Sequence, residues 1–290
     1  MHNTVQKFLN FLAEEKNYTE NTIAAYRNDL TQFVTRIQDE VDGDWTAIDR
    51  EVLDNYIEFL KTNRDYDYSS STIARKVAAL KSFFHYLIAE GVIQNDPTAT
   101  IDSPKVKKRL PQAISVEDIN KLLKVTTNSD APKSRRDHAM LELLYASGMR
   151  VTELVSLNVD DIDFEEGTVR VRGKKSGIKE RYIPLSGEAL EALQTYVEHG
   201  RQQLLRNPKE TALFLNHRGQ RLTRQGSWLI IKRYVEEVGI SSKVTPHTLR
   251  HSFAAHKLSL GKSLQDIQKL LGHANISTTQ VYTHLAKEEE

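Results

Sequence analysis

Apolar residues in this 290-residue chain recur at three- and four-residue intervals almost from end to end, and one region breaks that rhythm. There, Thr168-Val169-Arg170-Val171-Arg172 and Arg181-Tyr182-Ile183-Pro184-Leu185 alternate instead, placing apolar and polar side chains on opposite faces as a strand does. Between them Gly173-Lys174-Lys175-Ser176-Gly177-Ile178-Lys179 has the Gly and Lys content of a turn. A mainly α chain with one small antiparallel β-hairpin follows, with a further short strand near 162–164.

The helical pattern falls into two parts. Residues 3–16, a stretch opening at Thr19, 49–62 and 71–90 each carry an apolar stripe, the last stopped by Gly91. Four helices with no strand between them predict a compact bundle over 1–102. Arg75, Lys76 and Lys81 lie in its last helix, as a solvated face or as one that meets phosphate. Then Ser103-Pro104-Lys105-Val106-Lys107-Lys108-Arg109-Leu110-Pro111 sets basic residues between prolines. This reads as an extended linker over 103–112, either an ordinary hinge or a strap along a phosphate backbone. The second part, 113–290, has helices from Ser115, over 134–148, after Arg150, over 186–206 and 225–238, from Thr245, and over 264–271.

Charge divides at the same place. Residues 1–102 hold 10 Lys and Arg against 17 Asp and Glu, whereas 103–290 hold 30 against 22, so a net charge of +1 conceals a basic second part. That asymmetry points to a polyanionic partner for the second part, although mixed surface charge accounts for it equally well. The chain has no cysteine, which excludes disulfides and thiolate metal sites and fits a reducing cytoplasm. No apolar run approaches the ~20 residues of a membrane helix, and residues 1–10 lack the apolar core of a signal peptide, so a cytoplasmic location is expected.

Five segments of the second part carry groups suited to phosphate chemistry. Arg150 follows a Gly turn at a helix start, with Glu153 one turn on to hold its guanidinium. Lys174 and Lys175 stand at the hairpin tip. His247 and Arg250 share a helix face at i, i+3. His273 and Tyr282 flank a polar run, Asn275 with Ser277, Thr278 and Thr279, that can turn and cap a last helix from which Tyr282 projects. Two guanidiniums can grip both non-bridging oxygens of a phosphodiester. A lysine can protonate the departing oxygen, and His247 or His273 can take the phenolic proton. A phenol with a pKa near ~10 attacks only with such help. No His pair has the spacing and acidic company of a helical zinc motif, so neither metal nor cofactor is expected.

These segments resemble the tyrosine recombinase (phage integrase) family, and specifically its Xer-type members. The resemblance rests on Leu144-Tyr145-Ala146-Ser147-Gly148-Met149-Arg150-Val151-Thr152-Glu153-Leu154, on Pro246-His247-Thr248-Leu249-Arg250-His251-Ser252-Phe253-Ala254, and on Leu270-Leu271-Gly272-His273-Ala274-Asn275-Ile276-Ser277-Thr278-Thr279-Gln280-Val281-Tyr282-Thr283-His284. Tyr18-Thr19-Glu20-Asn21-Thr22 and Tyr26-Arg27-Asn28-Asp29-Leu30 extend it into the first part. It implies a SAM-like core-binding domain over 1–102 and a catalytic domain over 113–290, closing on double-stranded DNA as a C-shaped clamp. It further implies that Arg150 and Arg250 clamp the scissile phosphate, that Lys174 is the general acid, that His247 and His273 assist, and that Tyr282 attacks to leave a 3′-phosphotyrosyl bond. Exchange through a four-way junction in a homo- or hetero-tetramer with a second Xer-type recombinase is implied as well, serving chromosome or plasmid dimer resolution at cell division beside a septal DNA translocase of the FtsK type.

The sequence departs from the family pattern twice. Its hairpin tip is longer than the usual short turn, which leaves Lys175 as an alternative to Lys174, and Thr283 to Glu290 make a short segment after Tyr282 for docking on a neighbour. Other readings are a mobile-element integrase with the same chemistry, a type IB topoisomerase, and a catalytically silent DNA-binding accessory factor. The full set Arg150, Lys174, His247, Arg250, His273 and Tyr282 weighs against the last.

Overall fold

The computed structural model describes residues 1–63, 67–102, 113–173, 180–240 and 244–283. The chain divides into two compact units, Met1–Arg109 and Leu110–Glu290, each with its own core. The basic linker expected over 103–112 lies outside the described residues.

The first unit is the four-helix bundle that the apolar stripes predict: α1 (His2–Glu14), α2 (Glu20–Ile37), α3 (Arg50–Thr62) and α4 (Ser70–Ala89). Side-chain oxygens of Thr19, Asp49 and Ser69 accept backbone N–H bonds at the starts of α2, α3 and α4, so three helix starts are fixed by local sequence. Gly91, at φ +67°, lies just past α4 in the left-handed region that a helix stop favours. Edge-to-face aromatic pairs fill the centre, with Phe33 and Tyr56 at 4.9 Å and Phe8 and Phe83 at 5.3 Å.

Lys76 on α4 is withdrawn from the solvated face that the helical spacing predicts. Lys76 is buried and donates to Asp29 at 2.9 Å and to Gln32 at 2.7 Å, while Arg75 bonds the other oxygen of Asp29. One carboxylate on α2 is thus shared by both cations. Charge at helical spacing cannot reveal this, because the partner lies 46 and 47 residues away.

In the second unit, α5 (Val116–Val125) precedes α6 (Pro132–Ser147), a helix buried along most of its length that packs on α8 and α11. The short α7 (Val151–Ser156) leads to the sheet β1 (Ile162–Asp163), β2 (Thr168–Val171) and β3 (Arg181–Pro184), antiparallel throughout. Register pairs Val169 with Ile183 and Val171 with Arg181, so Val169, Val171 and Ile183 face the core. On the other face the buried carboxylate of Asp161 takes Arg170 at 2.9 Å and Arg172 at 2.8 Å, which restrains the basic side of the hairpin. After it come α8 (Gly187–Thr195), a π-helical turn at Tyr196–Arg201, and α9 (Gln202–Leu204). The final elements are α10 (Arg224–Glu237), α11 (Pro246–Ser259), α12 (Leu264–Leu271) and α13 (Ser277–Gln280). Among the described residues no helix is long and apolar enough to cross a membrane.

Gly148, at φ +58°, closes α6, and a Cβ there would lie 2.3 Å from the Phe253 ring. Backbone conformation and close packing therefore both demand glycine two residues before Arg150.

Asp29→Ala leaves Lys76 buried without its counter-charge and should destabilise the first unit by about 3–5 kcal/mol. Adding Lys76→Met should recover much of the loss. Urea unfolding of the two variants checks both outcomes.

Candidate active site

Arg250 points from α11 into the junction of two helix ends. Its side chain is buried, and it donates to the carbonyl of Gly148 at 2.7 Å and to that of Leu271 at 2.7 Å. Gly148 caps α6 and Leu271 ends α12, so both carbonyls stand at helix C-termini, which carry the negative end of the helix dipole. Burial, then the like charge of Arg150, lowers the Arg250 guanidinium to about 10, so it stays cationic at neutral pH.

The same guanidinium donates to Nε2 of His273 at 2.9 Å. Arginine has no acceptor, so His273 must carry its proton on Nδ1, which donates to Oγ1 of Thr279 at 2.8 Å. Burial, then the charges of Arg250 and Arg150, depress this imidazole to about 4. His273 is neutral, with both ring nitrogens engaged.

Arg150 occupies the N-cap of α7. Its backbone N–H donates to Oε2 of Glu153 at 2.8 Å and its guanidinium to Oε1 at 3.3 Å, as the helical spacing predicts. A stronger grip on Glu153 comes from Arg181 on β3, whose two terminal nitrogens reach its two oxygens at 3.0 and 2.9 Å. Arg181 also donates through Nε to the Leu270 carbonyl at 2.8 Å. Burial alone would raise the Glu153 carboxyl, but the bonds and charge of Arg181, aided by Arg150, hold it below the ordinary carboxylate range.

Tyr282 is not on the last complete helix. It lies just past α13, with helical backbone shared by Thr283, and its side chain is buried. Its ring stacks on His273 at 6.3 Å, and its hydroxyl is 3.0 Å from Nδ1 of His251. Burial pushes the phenol up, while Arg250 and then Arg150 pull against it. His251 is itself depressed to about 4 by burial, then by His247 and Arg250. His247, one helical turn earlier, stacks on His251 at 6.5 Å, and burial followed by Arg250 lowers it too. Beside this cluster a cleft of about 740 Å³ is lined by Arg150, Thr152, Arg224, Trp228, Thr245 and His247.

Of the residues singled out from sequence, Arg150, His247, Arg250, His273 and Tyr282 therefore converge. Lys174 and Lys175 lie outside the described residues. Sequence reasoning misses Arg181, Thr279 and His251. Arg181 pairs with a carboxylate 28 residues away, which no local pattern reveals. His251 was legible in principle, since it follows His247 by one turn on the same helical face. Among the described residues no group of three or more His, Asp or Glu could hold a metal ion.

His251 and His273 set a pH dependence. Unfolded, each titrates near ~6.5, whereas folded each resists protonation down to about 4. The unfolded chain binds more protons across that window, so stability rises with pH there and falls as pH drops from about 6.5 towards 4. Urea midpoints measured from pH 7 to 4.5 should show this fall, and a His251→Asn, His273→Asn double variant should flatten it.

Comparison with known proteins agrees with this geometry. Residues 112–289 match the phage integrase family and residues 5–91 match its N-terminal SAM-like domain. The tyrosine recombinase XerC of Herpetosiphon aurantiacus is 50% identical over 288 residues, covering 99% of this chain and 92% of that protein. The tyrosine recombinase XerD of Listeria innocua is 45% identical over 291 residues, covering 99% and 95%. Among solved structures, XerA recombinase aligns over 100% of this chain and 97% of its own with 27% identity and a TM-score of 0.56. XerH bound to a palindromic difH substrate, 24% identical, shares the fold with a TM-score of 0.77 over 98% of this chain and 82% of its own. Two family matches that together span most of the chain, and relatives this similar along its length, establish that the chain belongs to the phage integrase family of tyrosine recombinases, in its Xer-type branch.

Proposed function

We propose that this chain is a site-specific DNA recombinase that cuts and rejoins double-stranded DNA through a 3′-phosphotyrosyl bond to Tyr282. One observation carries the reading: the Tyr282 ring, from the far end of the chain, packs between His251 and His273 beside a guanidinium braced by two helix ends. In this reading Arg150 and Arg250 hold the non-bridging oxygens of the scissile phosphate. Their fixed charges offset the charge that builds on phosphorus as the phenol attacks. Lys174 gives a proton to the departing 5′ oxygen, with Lys175 the alternative, and His247 and His273 complete the phosphate pocket. The phosphotyrosyl ester keeps the free energy of the broken phosphodiester, so attack by a 5′-hydroxyl reverses the step without a nucleotide cofactor.

The first unit serves as the core-binding domain and the second as the catalytic domain. Two rounds of exchange on two sites, through a four-way junction, require a tetramer of this chain alone or with a second Xer-type recombinase. Similarity to Xer-type relatives along nearly the whole chain favours resolution of chromosome or plasmid dimers in the cytoplasm over integration of a mobile element.

The test is a nicked duplex that traps the covalent product, carrying a candidate chromosomal resolution site. Wild type should give a protein–DNA band on a denaturing gel in EDTA, and Tyr282→Phe should give none. A band from Tyr282→Phe would overturn the assignment. Lys174→Ala should slow cleavage by about 100- to 10,000-fold. A substrate with sulfur in place of the bridging 5′ oxygen should restore it, because a thiolate leaves without a proton. Normal cleavage by Lys174→Ala beside an inactive Lys175→Ala would move the acid to Lys175.

A further inference from the structure

We propose that His251, rather than His247 or His273, takes the proton from Tyr282 as it attacks and returns it on rejoining. The inference rests on the covalent chemistry proposed above for Tyr282.

Three observations carry it. First, the imidazole nitrogen in contact with the nucleophile is Nδ1 of His251, 3.0 Å from the hydroxyl oxygen, within the range for direct transfer. Second, His273 has no nitrogen to offer. Its Nε2 accepts from Arg250 and its Nδ1 carries the proton bonded to Thr279, so it packs against the phenol ring without a free acceptor. Third, His247 stacks on the His251 ring at 6.5 Å, one helical turn earlier on α11. The phenol is the stronger acid of the Tyr282–His251 pair, so the bond runs from its O–H to Nδ1, with the His251 proton on Nε2.

The charged and titratable groups around His251 are His247 and Arg250 on its own helix, and His273 and Tyr282 from the segment after α12. Burial, then His247 and Arg250, keeps the ring neutral before DNA arrives, and therefore able to accept. A bound phosphodiester adds negative charge beside it and raises its basicity at the moment of need.

The step balances. The Oη–P bond forms as the O–H bond breaks, and the proton passes to Nδ1, making an imidazolium. The P–O5′ bond breaks, and the leaving oxygen takes its proton from the lysine acid. On rejoining, the 5′-hydroxyl attacks, the lysine recovers its proton, and His251 returns its own to the departing phenolate.

The experiment is single-turnover cleavage of the nicked substrate by wild type, His251→Asn and His251→Ala, with DNA binding measured in parallel. His251→Asn should bind DNA as wild type does and cleave about 100- to 10,000-fold more slowly. Its rate should climb steadily with pH as the phenol ionises unaided, whereas the wild-type rate should level off. The sulfur-bridged substrate, which rescues loss of the acid, should not rescue His251→Asn. Free imidazole should partly restore His251→Ala. Cleavage by His251→Asn within threefold of wild type, an unchanged pH profile, or rescue by the sulfur substrate would each overturn the assignment. Failure of wild type itself to form a covalent bond would overturn the phosphotyrosyl reading and this one together, so the two failures are distinguishable.

Discussion

The site depends on one buried cation. Arg250 joins the C-terminal ends of α6 and α12 through the carbonyls of Gly148 and Leu271, and passes a third bond to His273. Hydrogen bonds to a charged group are worth about 1.5–3 kcal/mol each, and an unmatched buried carbonyl costs about 1–3 kcal/mol. The guanidinium and the two helix ends therefore need one another. This arrangement fixes Arg150, which begins two residues after Gly148, relative to His273, which begins two residues after Leu271. A single side chain thus sets the spacing of groups more than a hundred residues apart in sequence.

Such a cluster gathers more positive than negative charge, and Glu153 is what makes it tolerable. It is shared by Arg150 and Arg181, with Arg181 holding it by a parallel two-bond fork. Arg181 gives its Nε–H to Leu270, the residue before the one whose carbonyl Arg250 holds. The strand, the α7 start and the α12 end are therefore locked together. Arg150 is left with a shared carboxylate and a partly exposed guanidinium facing the cleft. Arg181 and Arg250 are consumed by structure more than Arg150 is, so a phosphate would find in Arg150 the more adaptable ligand and in Arg250 the more rigid one.

How much of this was legible in the sequence follows the range of each interaction. Helix starts at Thr19, Asp49, Ser69 and Thr245 and stops at Gly91, Gly148 and Gly272 are decided by neighbours within a turn, and they stand where the residues place them. The hairpin follows from the alternation of Val169, Val171 and Ile183. The convergence of Arg150, Arg250, His273 and Tyr282 was legible through the resemblance to a family, because no spacing rule links residues so distant. Where partners are distant and unmarked, the reading fell short. The helical pattern places Lys76 on the surface because nothing near it announces Asp29, and nothing near Arg181 announces Glu153. The polar run predicts a helix that carries Tyr282, but that run is used up by α13 and by Thr279 holding His273.

The role of Thr279 explains why the two imidazoles that flank Tyr282 are not equivalent. A neutral ring has one donor and one acceptor, and each neighbour fixes which nitrogen is which. Arg250 can only donate, so it forces the His273 proton towards Thr279 and makes that ring a packing surface for the phenol. His251 meets no such donor among its described hydrogen bonds, and its Nδ1 faces the hydroxyl instead. Burial would by itself make Tyr282 a worse acid, and two guanidiniums only partly correct this. Under the proposed chemistry a neutral imidazole at hydrogen-bond distance would remove the need for a free phenolate, since proton loss and attack would occur together. The asymmetry between the two histidines thus originates in the carbonyl-braced Arg250, which chooses the tautomer of one ring, while burial, then His247 and Arg250, keeps the other unprotonated.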